Sequence, residues 1–403
     1  PKIVGVHWFQ WIDQSAGGRR DRENHQVGLV DVTGRAHVPF VDIVSHVANK
    51  KDTVRYAQPS SSIHALELLL ADLPIQADDH ASMSRKKISA KNISKKTTKK
   101  RSPNLVVIMA DDLGYADVGF NGCSDIPTSN IDSIAEEGVR FTSGYVAYPV
   151  CGPSRASFIT GRYGQRFGFE RNPIYAPQDP AMGLTRNETT IATALSAVGY
   201  RCGVVGKWHL GDEAWYPENQ GYHENFGGCD YGQPPSFFDP YNNPKHKHPT
   251  IRAGIHKLPG RKKGEYLTHR EADEAVKLIR QWKDQQFFIQ VSHYAVHTPI
   301  QAIQEVADKY KFKEGMSETN RKYAAMVESI DDCMRDMLAE LKKHGIDDNT
   351  LIIFTSDNGG LDRNGGPTEN APLRSGKGYC YEGGIRVPSV SYTHLTLPTN
   401  REV

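Results

Sequence analysis

From about Asn104 onward the chain reads as an α/β fold, a large and mostly parallel sheet lying between helices. Uninterrupted apolar runs of strand length recur at Leu105-Val106-Val107-Ile108-Met109, Gly203-Val204-Val205, Phe287-Phe288-Ile289-Gln290-Val291 and Leu351-Ile352-Ile353-Phe354. Runs without polar alternation suit strands buried on both faces. Helical stretches fall between them: Asn130 to Glu137 before Gly138, Thr190 to Val198 before Gly199, Arg270 to Trp282, and Asn320 to His344 before Gly345. Strand, helix, strand in that order implies crossovers and parallel pairing. Such sheets bind ligands beyond the carboxyl ends of their strands, which directs attention to the residues that follow each run.

Whole-chain properties narrow the function classes. A chain of 403 residues has room for two or three domains. The formal charge of +2 gives no bulk electrostatic reason to expect nucleic acid as a partner. No apolar stretch reaches the roughly 18 residues that a membrane-spanning helix needs. The six cysteines contain no CxxC pair, which disfavours a zinc knuckle and a disulfide-dense scaffold. The chain opens on Pro1 rather than Met, so the natural N-terminus and any signal peptide are expected to lie outside it.

Four segments are expected. Residues 1–49 are aromatic, with His7-Trp8-Phe9-Gln10-Trp11 followed by Val27 to Val32. Residues 50–103 carry a Ser run and the cluster Lys86, Lys87, Lys91, Lys95, Lys96, Lys99, Lys100 and Arg101. So basic a segment, poor in large apolar groups, reads as a flexible linker, with polyanion binding as its alternative. Residues 104–389 hold the α/β pattern, and 390–403 form a tail.

After the first strand stand Asp111 and Asp112; after the last full strand stand Asp357 and Asn358. Two oxygen-rich pairs at neighbouring strand ends suit a hard cation, Ca²⁺ or Mg²⁺, although paired aspartates also cap helices and turns. Pro153, read as the first helical residue, places Cys151 at a helix N-terminus, where free N–H groups favour an anionic side chain. Arg155 follows one helical turn later on the same face, within reach of the side chain at 151 and of the metal-binding oxygens. Lys207 and His209 alternate after a buried strand and can share a face, or serve as surface and core residues.

Cys151-Gly152-Pro153-Ser154-Arg155-Ala156 resembles the Cys-x-Pro-Ser-Arg signature of the formylglycine-dependent sulfatase family. Val106 to Gly114, Gly206-Lys207-Trp208-His209-Leu210-Gly211, Ser356-Asp357-Asn358-Gly359, and Gly376-Lys377 with Glu382 to Pro388 follow in the family's order. The likeness covers about Asn104 to Pro388 and implies an alkaline-phosphatase-like fold whose smaller C-terminal subdomain is missing here.

It also implies that Cys151 is oxidised to formylglycine by a maturation enzyme. Asp111, Asp112, Cys151, Asp357 and Asn358 would hold a divalent cation, Ca²⁺ in preference to Mg²⁺. One hydroxyl of the hydrated aldehyde would attack sulfur, leaving a sulfated enzyme, and the other would expel sulfate. Arg155 would support the modified side chain, His209 its hydroxyl, and Lys207, His297 and Lys377 the sulfate, with His297 or Lys377 as leaving-group acid. His293 is the alternative to His297; Tyr294-Ala295-Val296-His297-Thr298-Pro299 favours His297. The family resemblance places the protein in the periplasm or outside a bacterial cell.

The ends carry other resemblances. His7 to Trp11 and Glu23 to Thr33 resemble the last strand and loop of agarase-like (β/α)₈ glycoside hydrolases, with Arg22 and Leu29 where Gly and Phe are expected. Trp8 or Trp11 would stack on a sugar or sit in a core; the carboxylate pair would lie upstream, so this piece is not expected to be catalytic. Val390 to Thr399 resembles one reading frame of a sequencing-library adapter, so natural sequence is expected to stop near Ser389. A sulfated algal polysaccharide or oligosaccharide, or a small sulfate ester, is therefore the expected substrate. The alternatives are a phosphatase or phosphodiesterase of the same superfamily, and a truncated, non-catalytic carbohydrate-binding protein.

Overall fold

A strand covered on both faces must be apolar throughout, and the four such runs form the middle of one sheet. In the computed structural model they become β1 (Asn104–Ala110), β3 (Arg201–Gly206), β5 (Phe287–Ser292) and β6 (Thr350–Ser356); β2 (Val139–Arg140), β4 (Glu224–Phe226) and β7 (Ser389–Tyr392) lie toward the edges. The structure describes residues 102–173, 183–245, 252, 254–311, 313–362 and 366–393. The strand order is β2-β7-β6-β1-β5-β3-β4. β1 pairs in parallel with β5 and β6, β5 with β3, and β3 with β4. β7 runs antiparallel to β6 and β2, so the α/β sheet is mixed at one edge and parallel elsewhere.

The helices are α1 (Ser129–Glu137), α2 (Cys151–Thr160), α3 (Ile191–Ala197), α4 (Leu267–Trp282), α5 (Gln304–Asp308), α6 (Glu318–Lys343) and α7 (Glu382–Ile385). Alternation along β1 divides the core in two. Val106 and Ile108 pack with Leu278, Ile279, Trp282 and Met334 of α4 and α6. Val107 packs on the other side with Ala156 and Ile159 of α2 and Ala192 of α3. Both layers are mainly apolar; within β5 the buried Gln290 accepts from Tyr222 Oη at 2.5 Å and donates to Ser292 Oγ at 3.0 Å. Gly203 permits the closest contact: a Cβ there would lie 2.8 Å from Trp282 and 2.8 Å from Leu278, so any larger residue would push α4 off the sheet. Among the described residues no helix is long and apolar enough to cross a membrane.

Helix limits differ from expectation where capping decides them. α3 is shorter because Thr190 stands outside as the N-cap, accepting from Thr193 N. α6 begins earlier, at Glu318, because Ser317 accepts from Asn320 N. α4 begins at Leu267, three residues before the expected start, and Leu267 is itself buried. The segment boundary expected at Ser389 falls inside β7, where Val390 is fully buried and opposite Phe354. Residues 1–49 and 394–403, and the linker up to residue 101, lie outside the described residues.

Beyond β1 the chain is braced by Asp117. Its carboxylate accepts from Gly114 N at 3.0 Å, Tyr323 Oη at 2.6 Å, Thr368 Oγ1 at 2.6 Å and Glu369 N at 3.0 Å. Burial pushes its pKa from an ordinary 3.8 up to about 6, against the pull of those four bonds. Between the two values the folded state binds more protons than the unfolded chain, so this group's contribution to stability falls as pH rises through that window. Asp117→Asn removes the titration. The difference between wild-type and variant urea midpoints is therefore expected to move in the variant's favour from about pH 4 to pH 7; a difference independent of pH would contradict it.

Candidate active site

The register of two neighbouring strands builds the floor of the site. Ala110 of β1 lies opposite Ser356 of β6, so Asp111 and Asp112 leave the sheet beside Asp357 and Asn358. Asp112 takes a left-handed φ of 62°, uncommon for a residue with a side chain. Its N–H donates to Asp357 Oδ1 at 3.2 Å, and Asn358 Nδ2 donates to Asp112 Oδ1 at 2.7 Å. Ser356 Oγ locks the turn, donating to Asn358 O at 2.8 Å and accepting from Leu113 N at 3.0 Å. All four acid and amide side chains are buried.

Cys151 is the first residue of α2, not the residue before it, and Pro153 is the third. Proline is tolerated there because first-turn N–H groups have no partner within the helix. The Cys151 Sγ is 3.6 Å from Asp111 Oδ1, 4.0 Å from Asp112 Oδ1 and 3.3 Å from Lys377 Nζ. Gly152 N donates to Asn172 Oδ1 at 2.8 Å, fixing the helix end.

Three cations answer the three buried carboxylates. Lys207 Nζ lies 2.6 Å from Asp111 Oδ2, Lys377 Nζ 2.6 Å from Asp112 Oδ2, and Arg155 Nε 2.8 Å from Asp357 Oδ2. Arg155, expected to reach the modified residue 151 and the cation-binding oxygens, donates to Asp357 and to the Lys207 carbonyl at 3.1 Å, and its guanidinium lies 3.9 Å from Asp111 Oδ1. Burial pushes Asp111 up to about 8 against the pull of Lys207. Burial also acts to raise Asp357 and Asp112; Arg155 and Lys207 outweigh it at Asp357, and Lys377 and His297 at Asp112, so both end below the ordinary carboxylate value. Burial pushes the Cys151 thiol up to about 12.

His297 follows β5, with Nε2 3.5 Å from Asp112 Oδ2 and Nδ1 3.0 Å from the Thr298 carbonyl. The Thr298 hydroxyl lies 3.1 Å from the same Nδ1. Burial lowers the ring's pKa to about 4 in spite of Asp112, whereas Asp112 and Cys151 raise that of Lys377 against the effect of its burial. His293 turns away: its Nδ1 is 2.7 Å from Glu271 Oε2 of α4, both fully buried. His209 is buried, with a left-handed φ of 61°, against Gly232, where a Cβ would meet the ring at 2.7 Å. Its Nδ1 has no hydrogen-bond partner among the described residues, and burial with Lys207 and Arg155 keeps it neutral. Asn172 and Ser356 were missed as site residues; Ser356 lies inside a motif already quoted, whereas nothing near Asn172 in the sequence marks it.

The donor set is compatible with a metal ion. Asp111, Asp112, Cys151 and His297 offer atoms within 4.8 Å of one another, and Asn358 Oδ1 is buried without a hydrogen-bond partner. Removing one member of a buried ion pair strands the other charge. Arg155→Met is therefore expected to lower unfolding free energy by about 3–5 kcal/mol, read from denaturant midpoints; a change under about 1 kcal/mol would contradict the burial of Asp357.

The family model described as Sulfatase matches residues 103–402. Arylsulfatase J of Mus musculus is 33% identical over 312 residues, covering 74% of this chain and 49% of that protein. N-acetylgalactosamine-6-sulfatase of Mus musculus is 35% identical over 312 residues, covering 72% and 57%. The chain thus spans about half the length of the curated relatives it matches. Among solved structures, Ps i-CgsB is similar with a TM-score of 0.68 and 35% identity over 74% of this chain and 67% of that one. A second structure of Ps i-CgsB, in complex with k-i-k-neocarrahexaose, gives a TM-score of 0.66 at 35% identity, over 73% of this chain and 66% of that one. With residues 103–402 matched by one family model, the chain belongs to the sulfatase family.

Proposed function

We propose that this chain hydrolyses a sulfate ester of a carbohydrate, with Cys151 acting after oxidation to formylglycine by a separate maturation enzyme. The observation that carries the proposal is the convergence of Cys151, Lys377 and the Asp111–Asp112 pair in one buried site, with Lys377 and His297 as its partly exposed members. A thiol is a soft donor in an otherwise oxygen-rich set, whereas a hydrated aldehyde would present oxygen to the same neighbours. Asp111, Asp112, Asp357, Asn358 and the modified residue 151 would hold a divalent cation, Ca²⁺ in preference to Mg²⁺. Bound there, it would lower the pKa of an attacking hydroxyl and offset charge on the sulfate.

The chain's own groups supply the rest. Lys207 and Lys377 bring two positive charges to a dianionic transition state, and each sits on a carboxylate that holds it in place. Lys377, partly exposed beside Cys151, keeps its proton and can pass it to the leaving oxygen. Neutral His209 has a free Nδ1 to accept a proton or hydrogen bond, and His297 orients the sulfate. Arg155 acts by fixing Asp357. Catalysis is assigned to residues 104–389, with 50–103 as a tether. The neocarrahexaose bound by Ps i-CgsB supports a sulfated galactan oligosaccharide as the substrate class.

The test is release of inorganic sulfate from k-i-k-neocarrahexaose and from an aryl sulfate, beside an aryl phosphate control. Cys151→Ala is expected to reduce sulfate release by about 10⁴-fold or more, and mass spectrometry of the active chain's Cys151 peptide should find the aldehyde. Faster turnover of the phosphate ester would replace this reading with a phosphatase. Chelation should abolish activity and lower the melting temperature, with Ca²⁺ restoring both; Asn358→Ala should weaken Ca²⁺ binding in a calorimetric titration. An unchanged melting temperature after chelation would count against the cation site.

A further inference from the structure

Few large apolar side chains are exposed among the described residues. Val198, Tyr379 and Tyr381 are 37%, 44% and 45% exposed, and the two tyrosines flank Cys380 just beyond Lys377. The guanidinium of Arg374, from the near side of the same loop, lies 3.8 Å from the centre of the Tyr381 ring. Arg374 is exposed and makes no ion pair among the described residues.

The backbone beneath these side chains is tightly closed. Lys377 N donates to Gly360 O at 2.9 Å and Gly378 N to Pro149 O at 2.8 Å, so the loop is tied both to the turn after β6 and to the segment leading into Cys151. Gly383 N donates to Arg374 O at 2.9 Å and Gly384 N to Tyr381 O at 2.8 Å. A Cβ on Gly383 would lie 1.9 Å from Ser375 O, and one on Gly384 1.9 Å from Tyr379 O. The strands of the loop approach as closely as backbone can. Three exposed side chains that core packing does not require are thus displayed on a rigid base whose middle residue, Lys377, is 3.3 Å from Cys151 Sγ.

We propose that Tyr379, Tyr381 and Arg374 form a platform for a second sugar unit of a sulfated oligosaccharide, Tyr379 stacking on the ring and Arg374 pairing with a further sulfate. Aromatic faces suit the apolar faces of sugar rings. A guanidinium held over an aromatic face can still offer its N–H edges to an oxyanion bidentately. The platform rests on the proposed sulfatase activity and extends it: the site selects chains sulfated on neighbouring units over a single sulfated sugar.

The full chain carrying Cys151→Ala, in Ca²⁺ buffer, is titrated calorimetrically with k-i-k-neocarrahexaose and with galactose 4-sulfate. Tyr379→Ala and Arg374→Gln are each expected to weaken hexasaccharide binding about tenfold relative to the monosaccharide, whereas Tyr379→Phe retains it. Equal losses for both ligands, no loss for the hexasaccharide, or no hexasaccharide binding at all overturns the platform. Melting temperatures of the variants separate lost contacts from lost fold, and Tyr379→Phe keeps the comparison decisive if Tyr379→Ala unfolds. Absence of sulfate release by the formylglycine-bearing wild type sinks the hydrolysis reading alone, because the titration involves no turnover.

Discussion

Three carboxylates buried at the ends of two adjacent strands set the terms for everything around them. Left uncompensated, Asp111, Asp112 and Asp357 would each carry a desolvation cost of several kcal/mol. The compensation comes from three separate places: Arg155 on α2, Lys207 after β3, and Lys377 in the loop before α7. Sheet order serves this arrangement, since only the β1–β6 pairing brings both acidic turns together. The electrostatic centre therefore fixes which segments must meet, and the apolar layers on either side hold them there.

The same balance gives the site its asymmetry. Asp357, bound by Arg155, is the most firmly ionised of the acids, whereas Asp111 is pushed the other way by burial. Burial lowers the pKa of both site histidines, so the positive charge that faces the carboxylates comes foremost from the two lysines and the arginine. The positive charge nearest Cys151 is the Lys377 ammonium, 3.3 Å from its sulfur.

Much of this was legible in the sequence, for identifiable reasons. Leu105 to Met109 and Leu351 to Phe354 announce central strands because burial on both faces forbids polar alternation. Asp111, Asp112, Cys151, Lys207, His209, Asp357 and Lys377 lie in dense local motifs, and they fold to one place. His297 could be set above His293 only by its neighbours, and the structure engages His293 with Glu271 instead. What escaped was whatever depends on distant partners. Val139–Arg140 is too short to register as a strand and exists by pairing with β7. The binding of Arg155 to Asp357, 202 positions away, and of Gly152 to Asn172 has no trace in local pattern.

The position of β1 bears on how the chain is made. It is the first strand of the sheet to emerge in sequence, yet its two neighbours are β5 and β6, whose residues Phe288 and Leu351 pair with Leu105. During synthesis this strand, apolar from Leu105 to Ala110, waits for residues 287–292 and 350–356 to leave the ribosome before its backbone can be satisfied. Pairing across such sequence distances is slow and exposes sticky intermediates. The longer β1 stays unpaired, the longer its apolar side chains are open to association with other chains.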